Sequence, residues 1–334
     1  MLKHREINIR TYRKRHQKVT PRPSYLIWPY GLMNFSIWEE IRDNRPDAVI
    51  LMSWMNPTWW MALAACVFRG IPFFYMTDAN VQIERYRSKR KRRIKQIALG
   101  KTLFKLCSGF LCAGTANRRL YRLYGVPERK LFQFAYSWGY DSLREKSEEL
   151  KPQRSRIKAE FGIPEESLVI LFCGRLSREK NLFHLVEAYH QLDDERKSLI
   201  FVGDGELRQS LQHYVEELGA RSVYFFGFQN RDQIVKYYTI SDLLVLPSVR
   251  ETWGIVVNEA MCFGLPVIVS IQVGAGVDLV ADGRNGYRVP TDGDGLFLSI
   301  QQITDLISAQ RAYEMNSKAI ETADQIMTTT NQIK

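Results

Sequence analysis

The segment Pro247-Ser248-Val249-Arg250-Glu251-Thr252-Trp253-Gly254-Ile255-Val256-Val257-Asn258-Glu259-Ala260-Met261, directly after the apolar run Leu243–Leu246, decides how the chain is read. Four consecutive apolar residues with no polar position read as a strand buried on both faces. Pro247 and Gly254 then punctuate a loop, and beyond Gly254 the pattern becomes helical. Glu251 and Glu259 are eight positions apart, slightly over two helical turns. With a helix starting near Gly254, Glu251 lies in the loop before it and Glu259 one to two turns in, on a similar face. The two carboxylates can then meet two parts of one extended ligand, with the Thr252–Ile255 amides facing its anionic middle. The plainer alternative makes Glu251 a helix cap and Glu259 a solvated side chain. Glu259, however, sits among Val256, Val257, Ala260 and Met261, where a charge is costly without a partner.

Working outward, short apolar runs alternate with helical patterns along most of the chain. They are Ala48–Trp54, Pro72–Met76 and Gly109–Ala113 in the first half. In the second half they are Leu168–Cys173, Ser198–Val202, Val223–Phe226, Leu243–Leu246 and Pro266–Ser270. Strands of this kind separated by helices indicate parallel sheets covered on both faces. The expected class is α/β, with two doubly wound, Rossmann-like domains facing each other across a cleft. Leu143–Ile157 is charged, contains Pro152 and lacks a strand pattern, so the boundary falls there. Residues 1–150 form one expected domain and 151–334 the other, with 310–334 packing back on the first.

The chain has 334 residues, 45% of them hydrophobic, enough for two cores. Its net charge of +11 is unevenly placed: residues 1–150 hold 28 Lys and Arg against 12 Asp and Glu, and the remainder 19 against 24. That asymmetry points the first half toward an anionic partner. Five scattered cysteines, none in a C-x-x-C pair, read as buried free thiols of a reducing compartment. The polar, basic first twenty residues show no signal peptide. Residues 48–68 carry no charge over about the length a bilayer needs, but Asn56-Pro57-Thr58 divides them into strand, turn and helix. A buried β-α-β unit is therefore expected in place of a membrane span.

Three further motifs follow strands. Cys173-Gly174-Arg175-Leu176-Ser177-Arg178-Glu179-Lys180-Asn181 places two cations, Arg175 and Lys180, near a following helix start, a site for a diphosphate or simply a solvated basic loop. Gly203-Asp204-Gly205 is a tight turn in which Asp204 can cap a helix. Val273–Val280 reads as a glycine loop lining the cleft, and Asp282–Tyr287 as a hairpin-like turn. Asp292-Gly293-Asp294 has the look of a metal-binding Asp-x-Asp but follows Val289-Pro290 and precedes an apolar helix, so it reads as a turn and cap.

Arg175…Lys180, Gly203-Asp204-Gly205, Glu251-x7-Glu259, Gly264-Leu265-Pro266-Val267-Ile268 and Asp282-Gly-x-Asn-Gly286, in that order, resemble the group 1, or family 4, retaining glycosyltransferases of GT-B fold. The resemblance runs over about residues 155–310 and more faintly over 45–145, where it rests on Gly125–Lys130 and Trp138–Asp141. It implies transfer of a hexose or related sugar from a UDP- or GDP-sugar to a polysaccharide, glycolipid or lipid-linked acceptor. By the same resemblance Arg175 and Lys180 hold the diphosphate, Glu259 the ribose and Glu251 the transferred sugar. Gly174, Gly203, Thr252, Trp253, Gly254 and Ile255 line the donor, and Gly227 and Phe228 the base. Cations and amides already in place favour the leaving diphosphate as its charge grows, so no metal and no cofactor are required.

Two departures bear on the acceptor. Residues 1–24 show neither the opening strand nor the glycine-rich loop of the family, as if the first β-α unit were missing. Where the family often places a histidine, this chain has Thr77-Asp78-Ala79-Asn80, so Asp78 becomes the acceptor-side candidate. Both keep open a second reading, a degenerate transferase that binds nucleotide without catalysis. Arg85–Lys95, with eight cations in eleven residues, reads either as a solvated face or as an interfacial helix on an anionic membrane. No nucleic-acid recognition motif accompanies it. The expected location is cytoplasmic, peripheral on the inner face of the membrane.

Overall fold

A computed structural model of the chain describes residues 25–28, 31–52, 57–85, 90, 93, 96–97, 99–134, 139–291 and 294–307. The expectations for residues 1–24 and 310–334, and most of Arg85–Lys95, lie outside them. The chain divides into two compact units, Met1–Tyr75 and Met76–Lys334.

In the first unit, β1 (Tyr25–Trp28) and β2 (Gly31–Asn34) form an antiparallel hairpin. Helix α1 (Ile37–Asn44) follows a turn in which the Asn34 side chain accepts from the Ser36 backbone at 3.0 Å and from its hydroxyl at 2.8 Å. The uncharged run then resolves as β3 (Val49–Met52) and α2 (Pro57–Arg69). Pro57 opens α2, where its missing N–H costs nothing. The helix buries Ala62, Leu63, Ala65 and Cys66. Among the described residues no helix is long and apolar enough to cross a membrane. Strand β4 (Phe73–Met76) ends the unit within one residue.

The second unit opens with a parallel pair, β5 (Gly109–Cys112) and β6 (Leu131–Gln133), joined by α4 (Thr115–Leu123); Val81–Arg85 precedes them as α3. The charged stretch read as a boundary is helical: α5 (Tyr140–Leu150), a 3-10 turn carrying Pro152, and α6 (Arg154–Glu160). Arg154 anchors it, donating to the Thr239 and Ser241 carbonyls at 3.0 Å and pairing with Asp242 at 2.8 Å.

The rest is a six-stranded parallel sheet. Its strands are β7 (Leu168–Cys173), β8 (Lys197–Val202), β9 (Val223–Gly227), β10 (Leu243–Leu246), β11 (Val267–Ser270) and β12 (Gly286–Val289). Between them run α7 (Leu182–Gln191), α8 (Arg208–Leu218), α9 (Arg231–Ile240), α10 (Ile255–Cys262) and α11 (Gly274–Leu279), and a last helix spans 294–307. The order is β12-β11-β10-β7-β8-β9, so the chain moves outward from β7 to β9 and then returns to lay β10 on the other side of β7. Every residue of β7, β10 and β11 is buried. That matches the continuous apolar runs in the sequence.

The structure departs from the local sequence pattern at three places. Gly274-Ala275-Gly276 opens a helix where a loop was expected, because close packing demands glycine: a Cβ on Gly274 would lie 2.1 Å from the Thr252 carbonyl oxygen. Asp282–Tyr287 does turn, at Gly283–Asn285, but it closes no hairpin, since it leads into β12, which pairs in parallel with β11. Asp204 caps no helix; its carboxylate accepts from the Gly205 amide at 2.8 Å and from the Arg208 guanidinium at 3.4 Å.

Candidate donor site at the turning point of the sheet

In open α/β sheets, ligands bind outside the carboxyl ends of the strands where the order reverses. Here that point lies between β7 and β10. The loop after β7 carries Gly174, Arg175 and Lys180, and the loop after β10 carries Glu251 to Gly254. The two loops are tied together, the Val249 amide donating to the Glu179 carbonyl at 2.9 Å. They bring Lys180 and Glu251 into contact as an ion pair, with both side chains only about 15% exposed. The Glu179 carboxyl beside them is held below its ordinary range, chiefly by its own backbone N–H.

The neighbouring loops are packed backbone against backbone. A Cβ on Gly203, whose φ is +138°, would fall 1.9 Å from the Gly174 carbonyl oxygen. The Leu176 amide donates to the Asp204 carbonyl, and the Leu207 amide to the Leu176 carbonyl, both at 3.0 Å; Gly203 donates to Gly227 at 2.8 Å. The glycines therefore serve the approach of one loop to the next. Arg175 is exposed at this edge, and Phe228 is 78% exposed beside Gly227.

Helix α10 begins at Ile255 behind Gly254, as the spacing predicted. Gly254 has φ +93°, and a Cβ there would meet Leu246 and Val273 side chains at 3.0 and 3.1 Å. Trp253 donates from its indole to Asn258 at 2.9 Å, and its carbonyl accepts from Ala275 at 2.8 Å. Glu259 is half-buried and accepts from the Tyr238 hydroxyl at 2.8 Å. Tyr238 is fully buried, and burial raises its hydroxyl well above the ordinary range, keeping it a donor. Burial likewise pushes the adjacent Cys173 thiol up to about 12. The carboxylate in the apolar neighbourhood thus has a partner, which local pattern did not reveal: Tyr238 lies 21 residues away on α9. Asp78 is exposed in the loop after β4, and its neighbour Asn80 is buried against the Glu251 loop. Asp292 and Gly293 lie outside the described residues.

The profile of the family described as glycosyl transferases group 1 matches residues 153–324, about half of the chain. The chain belongs to this family. Among curated relatives, an uncharacterized glycosyltransferase of Methanocaldococcus jannaschii is 29% identical over 206 residues, covering 60% of this chain and 51% of that protein. The lipopolysaccharide 1,2-N-acetylglucosaminetransferase of Salmonella typhimurium is 28% identical over 180 residues, covering 50% and 46%. The chain thus spans about half the length of these relatives. Among solved structures, Anabaena HepE in complex with UDP matches this chain with a TM-score of 0.63 at 20% identity, over 87% of this chain and 81% of that one. WaaG, a glycosyltransferase of lipopolysaccharide biosynthesis, matches with 0.58 at 18%, over 80% and 71%. The expected GT-B fold, with its two parallel sheets, is the fold of the chain.

Proposed function

We propose that this group 1 member is a retaining, metal-independent glycosyltransferase that moves a hexose or related sugar from a UDP- or GDP-sugar to a glycan, glycolipid or lipid-linked acceptor. The observation that carries the reading is the contact of Lys180 with Glu251 at the turning point of the sheet. These are the two groups that the family resemblance assigns to the diphosphate and to the transferred sugar. The two parts are joined through one bond, so their binding groups must be neighbours, and they are. A nucleotide sugar is further supported by HepE, solved with UDP and with UDP-glucose. A glycan-type acceptor is supported by the lipopolysaccharide enzyme among the relatives.

In this reading Lys180 leaves Glu251 for the diphosphate when the donor enters, and Arg175 adds a second cation. Together with the start of α10 they stabilise the leaving diphosphate as the glycosidic bond breaks. Glu251, released from Lys180, turns to the sugar hydroxyls. Glu259, oriented by Tyr238, takes the ribose, and Phe228 offers an exposed aromatic face to the base. Residues 151–334 are then the donor-binding part and Asp78 is the acceptor-side group. No residue in this scheme calls for a metal or a cofactor.

The test is a donor panel read by thermal shift, followed by transfer assays. Glu251→Gln should lose about 100-fold or more in transfer, the scale for removing one preorganised polar group, while nucleotide binding persists. Equal transfer by that variant would sink the assigned role. Nucleotide binding with no turnover across an acceptor panel would instead favour the binding module. Arg85–Lys95 would set the protein on the inner face of an anionic membrane from the cytoplasm. Co-sedimentation with phosphatidylserine vesicles should then be strong at low salt and fall steeply as salt rises. Absence of binding at low salt removes that part.

A further inference from the structure

Asn80 ends the loop Thr77–Asn80 after β4 and is 1% exposed. Its side-chain amide donates to the Glu251 carbonyl at 3.1 Å and to the Thr252 carbonyl at 2.8 Å. Two carbonyl acceptors facing one amide fix it with the NH2 inward. The loop is itself clamped. Asn117, also buried, donates to the Thr77 carbonyl at 3.0 Å and the Ala79 carbonyl at 2.5 Å, and accepts from the Ala113 amide at 3.2 Å. Two positions beyond Asn80, Gln82 donates to the Ile271 carbonyl at 2.8 Å.

The backbone that Asn80 grips has little freedom on its other side. Glu251 is bridged to Val273, and Gly274 approaches Thr252 so closely that no Cβ fits. The Cβ position of Gly274 lies 3.2 Å from Asn80 Nδ2. One residue, Glu251, is therefore held at its carbonyl by Asn80 and at its carboxylate by Lys180.

We infer that Asn80 is a positioning residue for Glu251: by binding the Glu251 and Thr252 carbonyls it aims the carboxylate at the transferred sugar and makes that aim depend on the loop bearing Asp78. The inference rests on the reading of Glu251 as the sugar-contacting group. Its consequence is a split between chemistry and binding. Arg175 and Lys180, assigned to the diphosphate, come from the loop after β7, and Glu259, assigned to the ribose, is oriented by Tyr238, so rate depends on Asn80 far more than nucleotide affinity does. A carboxylate displaced by a fraction of an ångström mainly loses rate.

The experiment is steady-state transfer kinetics with calorimetric UDP titration on the wild type, Asn80→Ala and Asn80→Asp. The alanine variant should lose about 10- to 100-fold in kcat, the scale for a small misplacement, with the UDP Kd unchanged within about twofold. Asn80→Asp keeps the size and shape of the side chain but sets a carboxylate oxygen against two carbonyl oxygens. Its kcat should fall at least as far, whereas a packing role alone would leave it near wild type. If Asn80→Ala does not fold, Asn80→Ser, which retains a donor, takes its place with a smaller loss of the same kind. A folded Asn80→Ala with wild-type kcat overturns the inference and leaves the transferase reading intact. So does a parallel collapse of kcat and UDP affinity. Wild-type protein that turns over no sugar nucleotide overturns that reading, and the inference with it.

Discussion

Strands β7 and β3 are both short apolar runs, Leu168–Cys173 and Val49–Met52, yet they live in different surroundings. Every residue of β7 is buried, with β10 on one side and β8 on the other. In β3 only Leu51 is buried, and Ile50 and Met52 are 39% and 47% exposed. Apolar sequence thus announces a strand in both places but announces coverage in only one. The difference lies in what each strand holds in place. The sheet built around these fully buried central strands fixes the loops after β7, β8, β9 and β10, and the candidate donor residues sit on those four.

The comparison breaks most readily at its centre. Ile170→Ala should destabilise the protein by about 2–5 kcal/mol, because it opens a cavity in a core with no route to collapse. Met52→Ala should cost within about 0.5 kcal/mol, as exposed substitutions do. Chemical denaturation measures both, and equal losses would erase the distinction between the strands.

A smaller effect sharpens it. Tyr238→Phe keeps the ring packing of α9 but removes the hydroxyl that holds Glu259. The carboxylate then loses its orientation, and UDP affinity should weaken about tenfold, or about 1.4 kcal/mol. Because burial keeps the Tyr238 hydroxyl protonated far above neutral pH, the wild-type advantage should not titrate between about pH 6 and 9. Unchanged affinity in the variant would make Tyr238 a core residue and nothing more.

The sheet region was largely legible because its signals are local. Continuous apolar runs marked β7 to β11, and Gly254 marked the start of α10. That Lys180 and Glu251 belong together is implied in the sequence only by the family resemblance; their contact comes from two loops that adjoin because β10 lies beside β7. What escaped reading depends on partners far along the chain. Strand β12 exists because Gly286 can lie against Val267, where a Cβ would sit 1.9 Å from its carbonyl oxygen; locally the glycine suggested a turn. Gly274 likewise suggests a loop locally, but it opens a helix because it packs against the Thr252 carbonyl. Strand β6 is three residues long, below what periodicity resolves. Tyr238 and Asn80 sit 21 and 171 positions from the residues they hold, and nothing in their immediate neighbours says so.

The most direct test of the site is calorimetric titration of UDP into the wild type and into the doubly substituted Arg175→Ala/Lys180→Ala protein, both checked for folding. Two cations beside a diphosphate predict binding to the wild type and a loss of about 100-fold or more when both are removed. Equal affinity in the two proteins would contradict a diphosphate site at the turning point between β7 and β10.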